Sequence, residues 1–131
     1  DRRPEVRDRT AQILEDIGLA DRRNNPAGLL TYAEQRALEI GITTAGGADV
    51  ILLDEPTAGM SHAETERAVE LIRRLTEGRT LIIVEHDMSV VFGLADRISV
   101  LVYGQIIASG TPDEIRADPK VREAYLGEEA A

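Results

Sequence analysis

Four consecutive apolar residues followed by two acids, Val50-Ile51-Leu52-Leu53-Asp54-Glu55, constrain the fold more than any other stretch of the chain. No polar residue alternates with the apolar ones, so a strand over residues 50–53 is expected to be buried on both faces. That is the habit of parallel sheets covered by helices. Thr80–Val84 reads as a second buried strand and residues 98–103 as a third. Gly104-Gln105 then turns the chain into a fourth strand over residues 106–109. Between the first two strands the period lengthens to that of a helix. Ala68, Leu71, Ile72 and Leu75 form one stripe over residues 63–77, and Gly78 stops it. A shorter helix is expected over 88–95. Thr111-Pro112 has the cap and first-position proline of another, and a last helix is expected near 121–126.

The first part of the chain is helical instead. Val6, Ile13, Leu14 and Ile17 are spaced as on a helix over residues 5–17. Residues 21–28, with Asn24-Asn25-Pro26, read as a loop. Thr31 followed by Glu34 three residues later is the signature of a capping box, opening a helix with Ala37, Leu38 and Ile40 that fades at Gly46-Gly47. The expected organisation is a helical portion over residues 1–47 joined to an alternating strand-and-helix portion over 48–131, an α/β fold. There is no internal repeat, and Glu128-Glu129 reads as a solvated acidic tail. The chain opens Asp1-Arg2-Arg3-Pro4 without a methionine, which reads as a piece of a longer protein.

Composition removes several function classes. With 15 basic and 24 acidic residues, the net charge of -9 argues against a nucleic-acid backbone as partner. It leaves nucleotides open, because backbone N–H groups can hold phosphates without net charge. The absence of cysteine removes disulfides and thiolate metal sites. No apolar run approaches the roughly 18–20 residues of a spanning helix.

In a parallel sheet, ligands sit at the carboxyl ends of the strands. Two adjacent carboxylates there, Asp54 and Glu55, can divide the work: one can hold Mg²⁺, directly or through water, and the other can orient or deprotonate an attacking water. A plain strand followed by an acidic turn explains the same string equally well. His86, in Glu85-His86-Asp87, also follows directly on a strand. If the two strands run parallel, its imidazole can reach a terminal phosphate or position the water. A surface or capping histidine is the ordinary alternative, and His62 at Ser61-His62-Ala63 is assigned only that role. Leu30-Thr31-Tyr32-Ala33-Glu34-Gln35-Arg36 places a hydroxyl and unpaired N–H groups at a helix start, an end that attracts anions.

Taken in order, these three elements resemble the ATP-binding subunits of ABC transporters. Leu30 to Arg36 is similar to the signature motif, Val50 to Glu55 to Walker B, Ala58-Gly59-Met60-Ser61 to the D-loop, and His86 to the switch histidine. The resemblance covers nearly the whole chain and is narrowest toward the branched-chain amino acid transport group. Tyr32 to Ile40, Asp54 to Met60, Gly110 to Arg116 and Glu123 to Gly127 carry that narrower match. It implies a partial P-loop NTPase (RecA-like) sheet with part of the ABC helical subdomain, and a parent that hydrolyses ATP with Mg²⁺ to drive solute import. By the same resemblance Asp54 serves Mg²⁺, Glu55 is the catalytic carboxylate and His86 senses the γ-phosphate. Thr31, Tyr32, Ala33 and Glu34 would contact nucleotide held by a second ATP-binding subunit. The implied partners are that subunit and transmembrane permease subunits, at the cytoplasmic face of the cell membrane, with no nucleic acid.

Two departures from the family pattern matter. No Gly-x-x-x-x-Gly-Lys-Ser/Thr run occurs, and the chain's only lysine is Lys120. The phosphate-cradling loop is expected upstream of Asp1, so this chain by itself is expected to be inactive. Its strand would lie between the second and third strands here, leaving a gap or open edges through which the chain is expected to self-associate. The second departure is Ala33 where the family has glycine and Thr31 where it has serine. If that position needs a positive φ, alanine costs on the order of 1 kcal/mol. Two other readings stay open: a non-enzymatic interaction module that retains this half-fold, and an ABC ATPase of DNA repair or translation.

Overall fold

The computed structural model describes residues 3–126, and the Glu128-Glu129 tail lies outside them. These residues form two compact units, divided between Val84 and Glu85.

The first unit begins with α1 (Pro4–Asp16), whose proline sits in the first turn, where its missing N–H costs nothing. Two short 3-10 turns at Ala20–Arg22 and Ala27–Leu29 fill the expected loop. Then follow α2 (Tyr32–Ala45), β1 (Val50–Asp54), α3 (His62–Leu75) and β2 (Thr80–Val84). β1 and β2 pair in parallel, with Ile51 opposite Leu81 and Asp54 opposite Val84. Parallel neighbours need a crossover, and α3 supplies it. Its buried stripe of Ala68, Leu71 and Ile72 follows the helical period, and Ile72 and Ile51 are both fully enclosed. Ile17, Leu19 and Ile40 complete this core. Two arginines finish the helix ends: Arg74 donates to the Asp16 carbonyl at the end of α1 (2.7 Å), and Arg79 to Thr44 near the end of α2 (2.8 Å). Cations there meet unpaired carbonyls and the negative end of the helix dipole.

The second unit holds α4 (Met88–Leu94), an antiparallel pair of β3 (Ile98–Val102) and β4 (Gln105–Gly110), then α5 (Pro112–Ala117). The third strand is one residue shorter than its apolar pattern suggests. Tyr103 and Gly104 take φ of 48° and 77° to make the tight turn, a twist that matches the flanking strands. The last expected helix is a short turn, Pro119–Val121, running into a wide π turn over Arg122–Leu126. Val91, Ile98, Val100, Ile115 and Val121 form the core of this unit, and Arg116 lies 4.2 Å over the Phe92 ring.

The expectation that β1 and β2 are buried on both faces is corrected. Ile51 is enclosed, but Val50 and Leu52 are 48% and 65% exposed, and Ile82 and Val84 on β2 are 50% and 59% exposed. Period-2 geometry puts alternate residues on opposite faces. The described helices cover one face of this pair and leave the other open. The sheets β1–β2 and β3–β4 share no strand pair among the described residues.

This asymmetry predicts unequal costs for the same deletion. Ile72→Ala should lower unfolding free energy by about 3 kcal/mol, since it empties a filled position. Ile82→Ala, on the open face, should cost less than about 1 kcal/mol. Urea unfolding of the two variants measures both.

Candidate functional site

The carboxylates Asp54 and Glu55 close β1 at its carboxyl end, and both are exposed. Because β1 and β2 are parallel, Asp54 stands opposite Val84, and the Glu55 N–H donates to the Val84 carbonyl at 2.7 Å. Glu55 then takes φ of 46°, which makes it and Tyr103 the only non-glycine residues with positive φ among those described. A left-handed backbone costs an L-residue roughly 1–2 kcal/mol. Such positions persist where surrounding contacts over-determine them. Here the Glu55 carbonyl accepts from the Ala58 N–H at 3.2 Å and from Arg36 Nη2 at 2.8 Å. The next two residues, Pro56 and Thr57, are buried and anchor the turn.

The start of α2 forms the expected capping box. Thr31 Oγ1 accepts from the Glu34 N–H at 3.2 Å, and the Glu34 carboxylate accepts from the Thr31 N–H at 2.9 Å. Arg22 pairs with the same carboxylate at 3.4 Å. The backbone hydrogen bond from Thr31 is the main cause that holds the Glu34 carboxyl below its ordinary value, helped by the Thr31 hydroxyl and Arg22. Two donors of this helix end are therefore engaged within the chain, and the end carries a carboxylate of its own. Ala33 is the second residue of α2 and has no positive φ, so the strain considered for it does not arise. Strain sits at Glu55 instead.

His86 belongs to the second unit and Asp54-Glu55 to the first. Its imidazole is 71% exposed, with Nδ1 3.8 Å from Glu85. The neighbouring Asp87 caps α4 through Ser89. Chiefly the Ser89 hydroxyl, with the Ser89 and Val90 N–H groups and His86, lowers its carboxyl pKa. His62 is the first residue of α3, as its helix-start reading expects, and lies 3.1 Å from Glu66. Among the described residues no group of three or more His, Asp or Glu side chains is placed to hold a metal. Asp54 fits Mg²⁺ only in the manner of a single carboxylate completed by water and substrate phosphates.

Two contacts from α2 to the loop after β1 escaped sequence reasoning. Tyr32 Oη donates to the Ala58 carbonyl at 2.7 Å, and the Tyr32 ring lies against Gly59, where an added Cβ would come within 3.3 Å. Arg36 reaches the Glu55 carbonyl, as described above. The one signal was their spacing, since positions i and i+4 share a helix face.

A parallel strand ending in Asp-Glu, with a crossover helix and a capped helix start in the same unit, resembles part of an ATP-binding cassette. Comparison agrees. The ADP form of an ABC-transporter ATP-binding cassette superposes with a TM-score of 0.82 at 30% identity, over 98% of this chain and 52% of that one. A nucleotide-free cassette gives 0.80 at 30% identity, over 97% and 52%. Within that class, residues 105–131 match the family described as the branched-chain amino acid ATP-binding cassette transporter. The branched-chain amino acid transport ATP-binding protein LivG of Salmonella typhimurium is 44% identical over 95% of this chain and 49% of its own length. BraF of Pseudomonas aeruginosa is 39% identical over the same shares. The chain is thus a homologue of ABC-transporter ATP-binding subunits of the branched-chain amino acid group, and it spans about half the length of the curated relatives it matches.

The strain at Glu55 predicts an inverted preference. Glu55→Gly should be more stable than Glu55→Ala by about 1 kcal/mol, because only glycine adopts this φ freely. In a helix the order is reversed. Thermal or urea unfolding of the two variants decides it, and equal stabilities would place Glu55 at negative φ.

Proposed function

We propose that this chain carries the water-activating part of an ATP-hydrolysing site, within a protein that couples ATP hydrolysis to import of branched-chain amino acids or similar solutes. The observation that carries the reading is Glu55, exposed at the carboxyl end of a parallel strand and turned into a left-handed backbone that three hydrogen bonds hold. Strain kept at a polar, exposed position is the mark of a placed group. Glu55 orients and deprotonates water, Asp54 holds Mg²⁺ bound to ATP, and His86 contacts the terminal phosphate. Thr31, Tyr32, Ala33 and Glu34 meet nucleotide bound to a second ATP-binding subunit. The names of the relatives speak of branched-chain amino acid transport; such a role would require permease subunits as further partners and the cytoplasmic face of the membrane as the place of work. No described helix is long and apolar enough to cross a membrane.

The residues in hand supply carboxylates and a histidine but no glycine-rich nest with its lysine, which would supply most of the triphosphate affinity. Calorimetric titration of the 131-residue chain with MgATP should therefore show no micromolar binding. Micromolar affinity would contradict this account. In a protein joining this sequence to such a loop, Glu55→Gln should cut hydrolysis by about 10²-fold or more while binding persists.

An interaction module is the second reading, and one observation favours it: the open apolar face of Val50, Leu52, Ile82 and Val84. Two-stranded sheets are marginal alone. We expect the chain to self-associate, giving a concentration-dependent mass by light scattering. A strictly monomeric mass across the range would remove that expectation.

A further inference from the structure

Helix α2 touches the loop after β1 at two carbonyls. Tyr32 Oη donates to Ala58 and Arg36 Nη2 to Glu55, at 2.7 and 2.8 Å. The two side chains stand four residues apart, one helical turn, on the same face. Arg36 is itself steadied by Glu39 at 2.9 Å. Between the two grips, the Ala58 N–H closes back on the Glu55 carbonyl at 3.2 Å, so Glu55 to Ala58 is one hydrogen-bonded turn held at both ends. Gly59 follows with φ of 78° and leaves room for the Tyr32 ring.

We propose that Tyr32 and Arg36 are positioning residues, a two-point clamp that makes the direction of the Glu55 carboxylate depend on where α2 sits. Glu55 pays a conformational cost to stay left-handed, and the Arg36 guanidinium reaches its carbonyl from another element, α2. Moving α2 along its axis carries both donors with it. The turn then follows, or it breaks its bonds and Glu55 relaxes toward negative φ. A displacement of α2 and the setting of Glu55 are therefore linked, and the linkage is reciprocal. The mechanism rests on the hydrolytic reading of Glu55 only for its catalytic consequence; the mechanical link stands without it.

The test uses the ¹⁵N-labelled chain and one signature of left-handed backbone, the strong cross-relaxation between a residue's own amide and α protons. Glu55 should show it. In Arg36→Met the signal should fall to the level of ordinary helical residues, and Arg36→Lys, which keeps a donor, should restore part of it. Cross-strand signals between Leu52 and Ile82 check that the β1–β2 pair survives. In the intact clamp, Thr31→Ala, which loosens the start of α2, should shift the Glu55 amide resonance. In Tyr32→Phe/Arg36→Met that shift should vanish. An undiminished Glu55 signal in Arg36→Met overturns the proposal, as does an equal Thr31→Ala shift with and without the clamp. If Arg36→Met fails to fold, Arg36→Lys and Tyr32→Phe singly make the same comparison. These signals report Glu55 whether or not it activates water. Failure of the hydrolytic reading would appear separately, as unchanged hydrolysis in Glu55→Gln of the longer protein.

Discussion

The parallel pairing of β1 with β2 is the constraint on which the first unit depends. Its register places Asp54 opposite Val84, so the two acids end the strand where Glu55 can donate to the Val84 carbonyl. The pairing in turn requires a crossover, and α3 provides it, with Ala68, Leu71 and Ile72 buried as Ile51 is. A one-residue slip would send Ile51 to the open face and Leu52 inward, since the period of a strand is two. The site is therefore a product of register, and register is set by which face is covered.

The loop after β1 shows how a small site is held without a deep core around it. Pro56 and Thr57 are buried, yet Asp54 and Glu55 stay exposed. The positive φ at Glu55 is kept by hydrogen bonds from three directions: Val84 across the sheet, Ala58 within the turn, and Arg36 from α2. Each such bond is worth about 1 kcal/mol net, which together outweighs the cost of one left-handed residue. The helix start that resembles a phosphate contact is thereby wired to the carboxylate that resembles a water activator, within one compact unit.

The open face of β1 and β2 follows from the same arithmetic. A parallel pair needs covering on both sides, and the described residues supply one layer. Val50, Leu52, Ile82 and Val84 therefore carry the apolar character of a core position while standing in solvent. The curated relatives that the chain matches are about twice as long.

Local features were determined by the sequence alone. The Thr31–Glu34 cap depends on residues three apart, and α3's stripe on a period of 3.6; both are local and both formed. The order of the signature, Asp54-Glu55 and His86 was enough to indicate the family, because order along the chain needs no coordinates. Tertiary structure decided what depends on neighbours distant in sequence. The apolar run from Val50 to Leu53 could say that burial was wanted, but only packing showed that one face obtains it. The strain considered at Ala33 was found at Glu55, because φ there is set by partners 19 and 29 residues away, Arg36 and Val84. Tyr32 and Arg36 could be read as helix residues, and their grip on Ala58 and Glu55 exists only because α2 lies against the turn that closes β1.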